Sequence, residues 1–281
     1  MTLRARAKSI GWWMAQAAVL GAFVWAVTQH LTNVIDIRNL DFFPLADRAW
    51  QISLASWDGW VASIHPVGYP WLLRLGLGLG VDAARWGQAL SILGGVLGLI
   101  GAYLIAQAVT GSRWLAWLVQ VFVAATGYIL YFSNYEGNDM LAAGFQIISI
   151  GVLAYGLANE PIERAPRLRW IGLAAALAGG GYLVRYTGLV TAGVSGLLLI
   201  GLAVMARRRD AWRNVAVYGL VFVAVTALQW LPAWIVTGSP LISDQGKNVY
   251  FHVYGKSDFV PEWNETPDIR LMQVFALTPG K

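Results

Sequence analysis

Apolar runs alternate with short, Arg-rich connectors along most of the chain. A helix needs about 20 consecutive apolar residues to cross the hydrocarbon of a bilayer. Seven runs reach or approach that length: 10–28, 84–108, 114–132, 139–158, 170–185, 186–206 and 214–236. The pattern predicts an all-α polytopic membrane protein of about seven transmembrane helices. The fifth and sixth runs adjoin at Arg185 and Tyr186, so a tight turn must fall there. The first run follows Arg4, Arg6 and Lys8 and exceeds the roughly 7–15 residues of a signal-peptide core, so it is expected to remain as a first span.

One long polar stretch interrupts the pattern, from Asp36 to Pro70. Within it Phe42, Leu45, Ala46, Ala49, Ile52 and Ser53 recur at helical spacing, with Asp47, Arg48 and Gln51 on the other side. This predicts an amphipathic helix suited to an interface, with Asp41 before it and Pro44 in its first turn. The apolar, Gly-rich stretch from Gly68 to Val81 reads as a half-buried or re-entrant helix. The organisation expected is a seven-span module over 1–236, including an outer loop over 29–83, followed by an outer segment over 237–281.

Composition and charge sharpen this. Hydrophobic residues make up 57% of the chain and charged residues only 12%, about half the charged share of a soluble domain. The connectors 1–9, 109–113, 159–169 and 207–213 hold eleven of the twenty Lys and Arg residues and only three of the fifteen acidic ones. Such a bias puts these connectors on the cytoplasmic side, with the N-terminus cytoplasmic and the C-terminus outside. It also explains the basic balance through topology, without nucleic acid as a partner. The absence of cysteine removes disulfide and thiolate chemistry.

The acidic residues therefore collect on the outer side, where candidate chemistry concentrates. Asp41 is a candidate base for an acceptor hydroxyl or amine, or an ordinary helix cap. Glu136 and Asp139 flank the start of the fourth span. They are candidate ligands of a divalent metal together with Asp41, or charges that favour a helix N-terminus. Arg185, at the edge of an apolar span, is a candidate phosphate binder or a snorkelling side chain. Lys247 is a weaker candidate of the same kind. His65 opens a His-Pro-x-Gly-Tyr-Pro segment that also carries Tyr69; both are expected among the substrate-binding residues, though a lone His is often only a satisfied hydrogen-bonding group.

The order of these features resembles the GT-C superfamily of membrane glycosyltransferases, in particular the protein mannosyltransferase and aminoarabinose transferase branch in its prokaryotic forms. The resemblance is carried by Leu40-Asp41-Phe42-Phe43, by the helix from Ala46 to Trp57, and by His65 to Pro70. It continues in Glu136 or Asp139 before the fourth span, in Arg185 to Gly188, and in Thr237-Gly238-Ser239-Pro240-Leu241. It implies a glycosyltransferase of the prokaryotic plasma membrane that takes sugar from a polyprenyl-phosphate donor on the non-cytoplasmic face. In this scheme Asp41 is the base or acceptor-orienting group, and a divalent metal such as Mg or Mn is used by part of the family. Members of the family are commonly longer, so the resemblance also admits a truncated enzyme, partner subunits that complete a short module, or a non-catalytic subunit that kept the scaffold.

Overall fold

The computed structural model describes residues 3–29, 42–53, 60, 65–159 and 167–240. Every regular element among them is an α-helix: α1 (Leu3–Gln29), α2 (Phe42–Gln51), α3 (Gly68–Gly78), α4 (Ala83–Thr110), α5 (Arg113–Ala124), α6 (Gly127–Ser133), α7 (Asp139–Asn159), α8 (Arg167–Val184), α9 (Gly188–Ala206) and α10 (Arg209–Thr237). Five of these, α1, α4, α7, α9 and α10, are long and apolar enough to cross a membrane. The third run of the sequence is broken instead of straight, since α5 and α6 meet at 62° and count as a sixth span only when taken together. At the break the Thr126 hydroxyl donates to the Phe122 carbonyl at 3.1 Å, covering part of the backbone polarity released there. The fifth run forms α8, whose apolar part, Leu168–Val184, is too short to count among the candidate spans.

The surface is that of a protein in lipid. Phe122, Val109, Met205, Leu220 and Val190 are each more than two-thirds exposed, an arrangement that water would penalise and hydrocarbon accepts. This is an integral membrane protein.

The bundle is built around α4 and α7. At Gly94 an added Cβ would stand 2.4 Å from the Met140 carbonyl oxygen, and at Gly144 it would stand 2.2 Å from the Gly94 carbonyl oxygen. One heptad further on, Gly101 and Gly151 repeat the contact at 2.6 Å in each direction. Small residues at this spacing let two helix backbones touch, the main source of helix association where lipid removes the hydrophobic drive. The triple glycine of α8 serves packing as well. Gly179 faces Val225 of α10, while Gly180 and Gly181 face Phe145 of α7. Ser149 on α7 donates to the Ala174 carbonyl of α8 at 2.8 Å, adding a buried polar tie.

Helix stops are encoded locally. Thr110-Gly111-Ser112 ends α4 with Gly111 at φ 66°, a left-handed conformation that favours glycine. The Thr110 hydroxyl donates to the Ala106 carbonyl at 2.7 Å and accepts from the Ser112 amide at 3.2 Å. Ser112 then caps α5 by accepting from the Leu115 amide.

Helix α2 is amphipathic, as its spacing predicts. Its apolar face is occupied by protein: Phe42, Leu45 and Ala49 are buried in a cluster with Tyr69, Leu73, Leu90, Leu141 and Val184. Phe43 and Trp50 on its other side stay exposed. The helix is thus fastened to the bundle by the residues that define its apolar stripe. Helix α3, at Gly68–Gly78, is the half-buried element expected after it, held by Trp86 of α4, whose indole donates to the Leu72 carbonyl at 2.8 Å.

Candidate functional site

Connectors of a few residues make the helices alternate in direction, so one end of the bundle gathers the start of α4, the α6–α7 connector, the α8–α9 turn and the end of α10. The segment His65–Pro70 is drawn into this end. Pro66, Val67, Tyr69 and Pro70 are buried. The Val67 amide donates to Gln229 Oε1 of α10 at 2.7 Å, a bond across 162 residues of chain. A Cβ on Gly68 would meet the Leu183 carbonyl oxygen at 2.5 Å, so glycine is required for the segment to lie against the end of α8. The His65 carbonyl accepts from Arg48 of α2 at 3.4 Å.

The α8–α9 turn spans Arg185–Thr187, as short as the adjoining apolar runs require. The Gly188 amide donates to the Arg185 carbonyl at 2.9 Å, and a Cβ on Gly188 would fall 2.3 Å from the Tyr182 nitrogen. The turn is tied to α7 through Gln146, which donates to the Thr187 hydroxyl at 3.2 Å and accepts from the Thr191 hydroxyl at 3.1 Å. It presents the Arg185 side chain across the bundle to the start of α7, where Arg185 forms an ion pair with Asp139 and donates to Asn138 Oδ1 at 3.3 Å. Asn138 in turn donates to the Val184 carbonyl at 3.2 Å. Among the described residues both contacts are made through Nη1; the Arg185 side chain is 35% exposed and that of Asp139 58%. A guanidinium has five N–H donors in a fixed fork, so fixing one edge leaves donors for an oxyanion.

Glu136 and Asp139 part company. Asp139 faces Arg185, at the first turn of α7, where a carboxylate favours the helix dipole. Glu136 is 1% exposed and turned against α4. A Cβ placed on Gly87 would lie 3.2 Å from Glu136 Cβ, 3.1 Å from the Tyr69 hydroxyl and 3.0 Å from the Phe42 ring. Tyr69 is entirely buried there. Burial pushes its phenol well above the usual tyrosine range, and the Glu136 charge adds to the rise. Its hydroxyl reaches toward the Gly137 backbone without closing a well-formed hydrogen bond. Tyr69 is therefore packed behind the Arg185–Asp139 pair.

Of the residues singled out from sequence, Arg185 and Asp139 are brought into contact, Glu136 and Tyr69 are brought together in the core beneath them, and His65 is half-buried at the edge. Asp41 and Lys247 lie outside the described residues. So do Leu241 and the 41-residue stretch that it opens. Thr237-Gly238-Ser239 repeats the helix stop of Thr110-Gly111-Ser112 at the opposite end of the bundle. Gly238 has φ 72°, the Thr237 hydroxyl donates to the Ala233 carbonyl at 2.6 Å, and the Ser239 amide donates to Thr237 Oγ1 at 3.3 Å. These contacts end α10.

No group of three or more His, Cys, Asp or Glu side chains converges among the described residues. The two described carboxylates diverge, one to Arg185 and one into the core. Asp41, the third ligand expected from sequence, lies outside the described residues. Asn138, Gln146, Gln229 and Gly87 were not singled out from sequence. The signal for three of them is a polar amide inside or beside an apolar run, where an unpaired amide is expensive.

The family model of dolichyl-phosphate-mannose-protein mannosyltransferases matches residues 79–243, more than half of the chain, from just before α4 to just beyond α10. No curated protein and no solved structure matches the chain.

Proposed function

The chain belongs to the dolichyl-phosphate-mannose-protein mannosyltransferase family, a family of membrane glycosyltransferases within the GT-C superfamily, and on that premise we propose that it transfers a sugar from a polyprenyl-phosphate donor to an acceptor on the non-cytoplasmic face. The observation that carries the assignment to this end of the bundle is the Arg185 guanidinium, held through Nη1 by Asp139 and Asn138 with its side chain still 35% exposed. Charge bias in the connectors supports placing this end outside the cytoplasm.

In the proposed step an acceptor oxygen or nitrogen attacks the anomeric carbon from the face opposite the phosphate. The bond between the anomeric carbon and the phosphate oxygen breaks, and its electron pair leaves with the polyprenyl phosphate. The acceptor proton goes to Asp41. Negative charge grows on the phosphate oxygens as the bond breaks, and Arg185, with Lys247, stabilises it where it forms. Asp139 and Asn138 act as positioning residues. They hold the guanidinium before the donor arrives, so little reorganisation remains for the transition state.

The test is sugar transfer in proteoliposomes supplied with a polyprenyl-phosphate-linked sugar, comparing wild type with Asp41→Asn and Arg185→Ala. Loss of the base is expected to lower turnover by about 10²–10⁴-fold, and loss of the guanidinium by about 10²–10³-fold. Equal turnover in wild type and Asp41→Asn removes Asp41 from the mechanism. If wild type transfers no sugar yet purifies with a stoichiometric partner, the chain is instead a non-catalytic subunit.

A further inference from the structure

At the Arg-rich end of the bundle, opposite Arg185, a cavity of about 560 Å³ opens between α1, α4 and the ends of α5, α7 and α8. Its volume falls in the range of about 300–1,000 Å³ typical of ligand sites. Helices α1 and α4 line it in opposite chain directions, yet with the same gradient. Trp12, Trp13, Gln107 and Arg113 stand toward the membrane surface, Gln16 and Tyr103 about one turn deeper, and Leu20 and Ile100 furthest in. A polar mouth over an apolar floor fits an amphiphile.

Three observations identify the amphiphile. Gln16 is 91% buried, being 9% exposed, and its amide nitrogen is sealed from solvent with no hydrogen-bond partner among the described residues. An unpaired donor in a residue that lines the cavity is satisfied when its side chain turns toward the cavity and meets an acceptor from outside the chain. Arg113, at the mouth, forms no ion pair or hydrogen bond among the described residues, and among those residues no acidic side chain lines the cavity. The walls belong to an aromatic girdle, with Trp12 packed edge-on against Trp114 at 5.8 Å and Tyr155 against Trp170 at 5.4 Å. Such girdles sit at headgroup level.

We infer that this cavity binds one anionic membrane phospholipid. Its phosphate accepts from Arg113 and, with the Gln16 side chain turned toward the cavity, from the Gln16 amide, and the start of its acyl chain lies along Leu20, Ile100 and Leu104. The site stands at the far end of the bundle from Arg185 and takes no part in the proposed transfer.

The experiment is native mass spectrometry of the delipidated protein titrated with phosphatidylglycerol or phosphatidylcholine. Wild type is expected to take up one phosphatidylglycerol in preference to phosphatidylcholine. Arg113→Gln should weaken that uptake about tenfold, the worth of one charge-assisted hydrogen bond. Gln16→Leu, which leaves the apolar helix face intact, should weaken it about threefold, the worth of one neutral bond. Arg208→Gln, at the same end but outside the cavity, should bind as wild type. Equal affinity of wild type and Arg113→Gln overturns the inference, as does an equal loss in Arg208→Gln or displacement of the lipid by inorganic phosphate.

Discussion

The α4–α7 seam and the α8–α9 turn hold their residues in opposite ways. Along the seam, backbone meets backbone at Gly94, Gly101, Gly144 and Gly151, with no room for a methyl group. At the turn, Arg185 reaches out on a long side chain to a pair of polar partners and stays partly exposed. The seam carries stability and has nothing to offer a substrate. The turn offers charge and contributes little to stability, because partly exposed ion pairs are worth only about 0–1 kcal/mol. The two are coupled by position, since Asp139 opens α7 and Glu136 packs against Gly87 of α4. The rigid pair therefore serves as the mount on which the loosely held cation is aimed.

The contrast can be broken most severely at Gly144. Replacement by Leu drives a side chain into the Gly94 backbone, and overpacking that already costs about 1–3 kcal/mol in compliant cores has no flexible neighbour to yield here. Gly144→Leu is expected to leave no monodisperse protein on size exclusion, whereas Gly193→Leu, where nothing lies within 4 Å, should elute as wild type. Similar elution of both variants would refute the seam as the frame.

Gln229→Leu should fall between the extremes. It strips the acceptor from the buried Val67 amide, a loss of about 1–3 kcal/mol. The expected readouts are a lower melting temperature and faster proteolysis at 65–70, with α4–α7 still paired.

The smallest effect on stability, and the sharpest test of the comparison, belongs to Arg185→Ala. Its melting temperature should shift by no more than a pair worth about 1 kcal/mol allows, while sugar transfer falls by orders of magnitude. A large drop in melting temperature would make Arg185 structural and dissolve the distinction.

Much of the fold was legible because hydrocarbon imposes one rule, an apolar run of about twenty residues, on each span. Five of the seven runs are the candidate spans α1, α4, α7, α9 and α10, whereas the third is the bent α5–α6 pair and the fifth the shorter α8. The bend at Ala125 and Thr126 was not legible, since Gly127 and a Thr are common in straight spans too. Arg185 and Asp139 stood out as charges at span edges, and their meeting follows from alternating helix direction. The separation of Glu136 from Asp139 did not show. Three residues apart, the two differ only in that Asp139 begins α7, whereas Glu136 precedes it and turns inward against Gly87. Thr237-Gly238-Ser239 resembled a family signature, although its local chemistry is that of a helix stop and occurs twice.

The break between α5 and α6 has a consequence for the bilayer itself. An unbroken helix over residues 113–133 would reach ~31 Å, matching a hydrocarbon layer of about 30 Å; kinked by 62°, it falls a few ångströms short. Hydrophobic mismatch of this kind is relieved by local thinning or by tilting. Since α6 runs directly into the connector that carries Asn138 and Asp139, thinning beside it would lower the water boundary next to Arg185 and shorten the climb that the phosphate of the proposed donor would make to reach it.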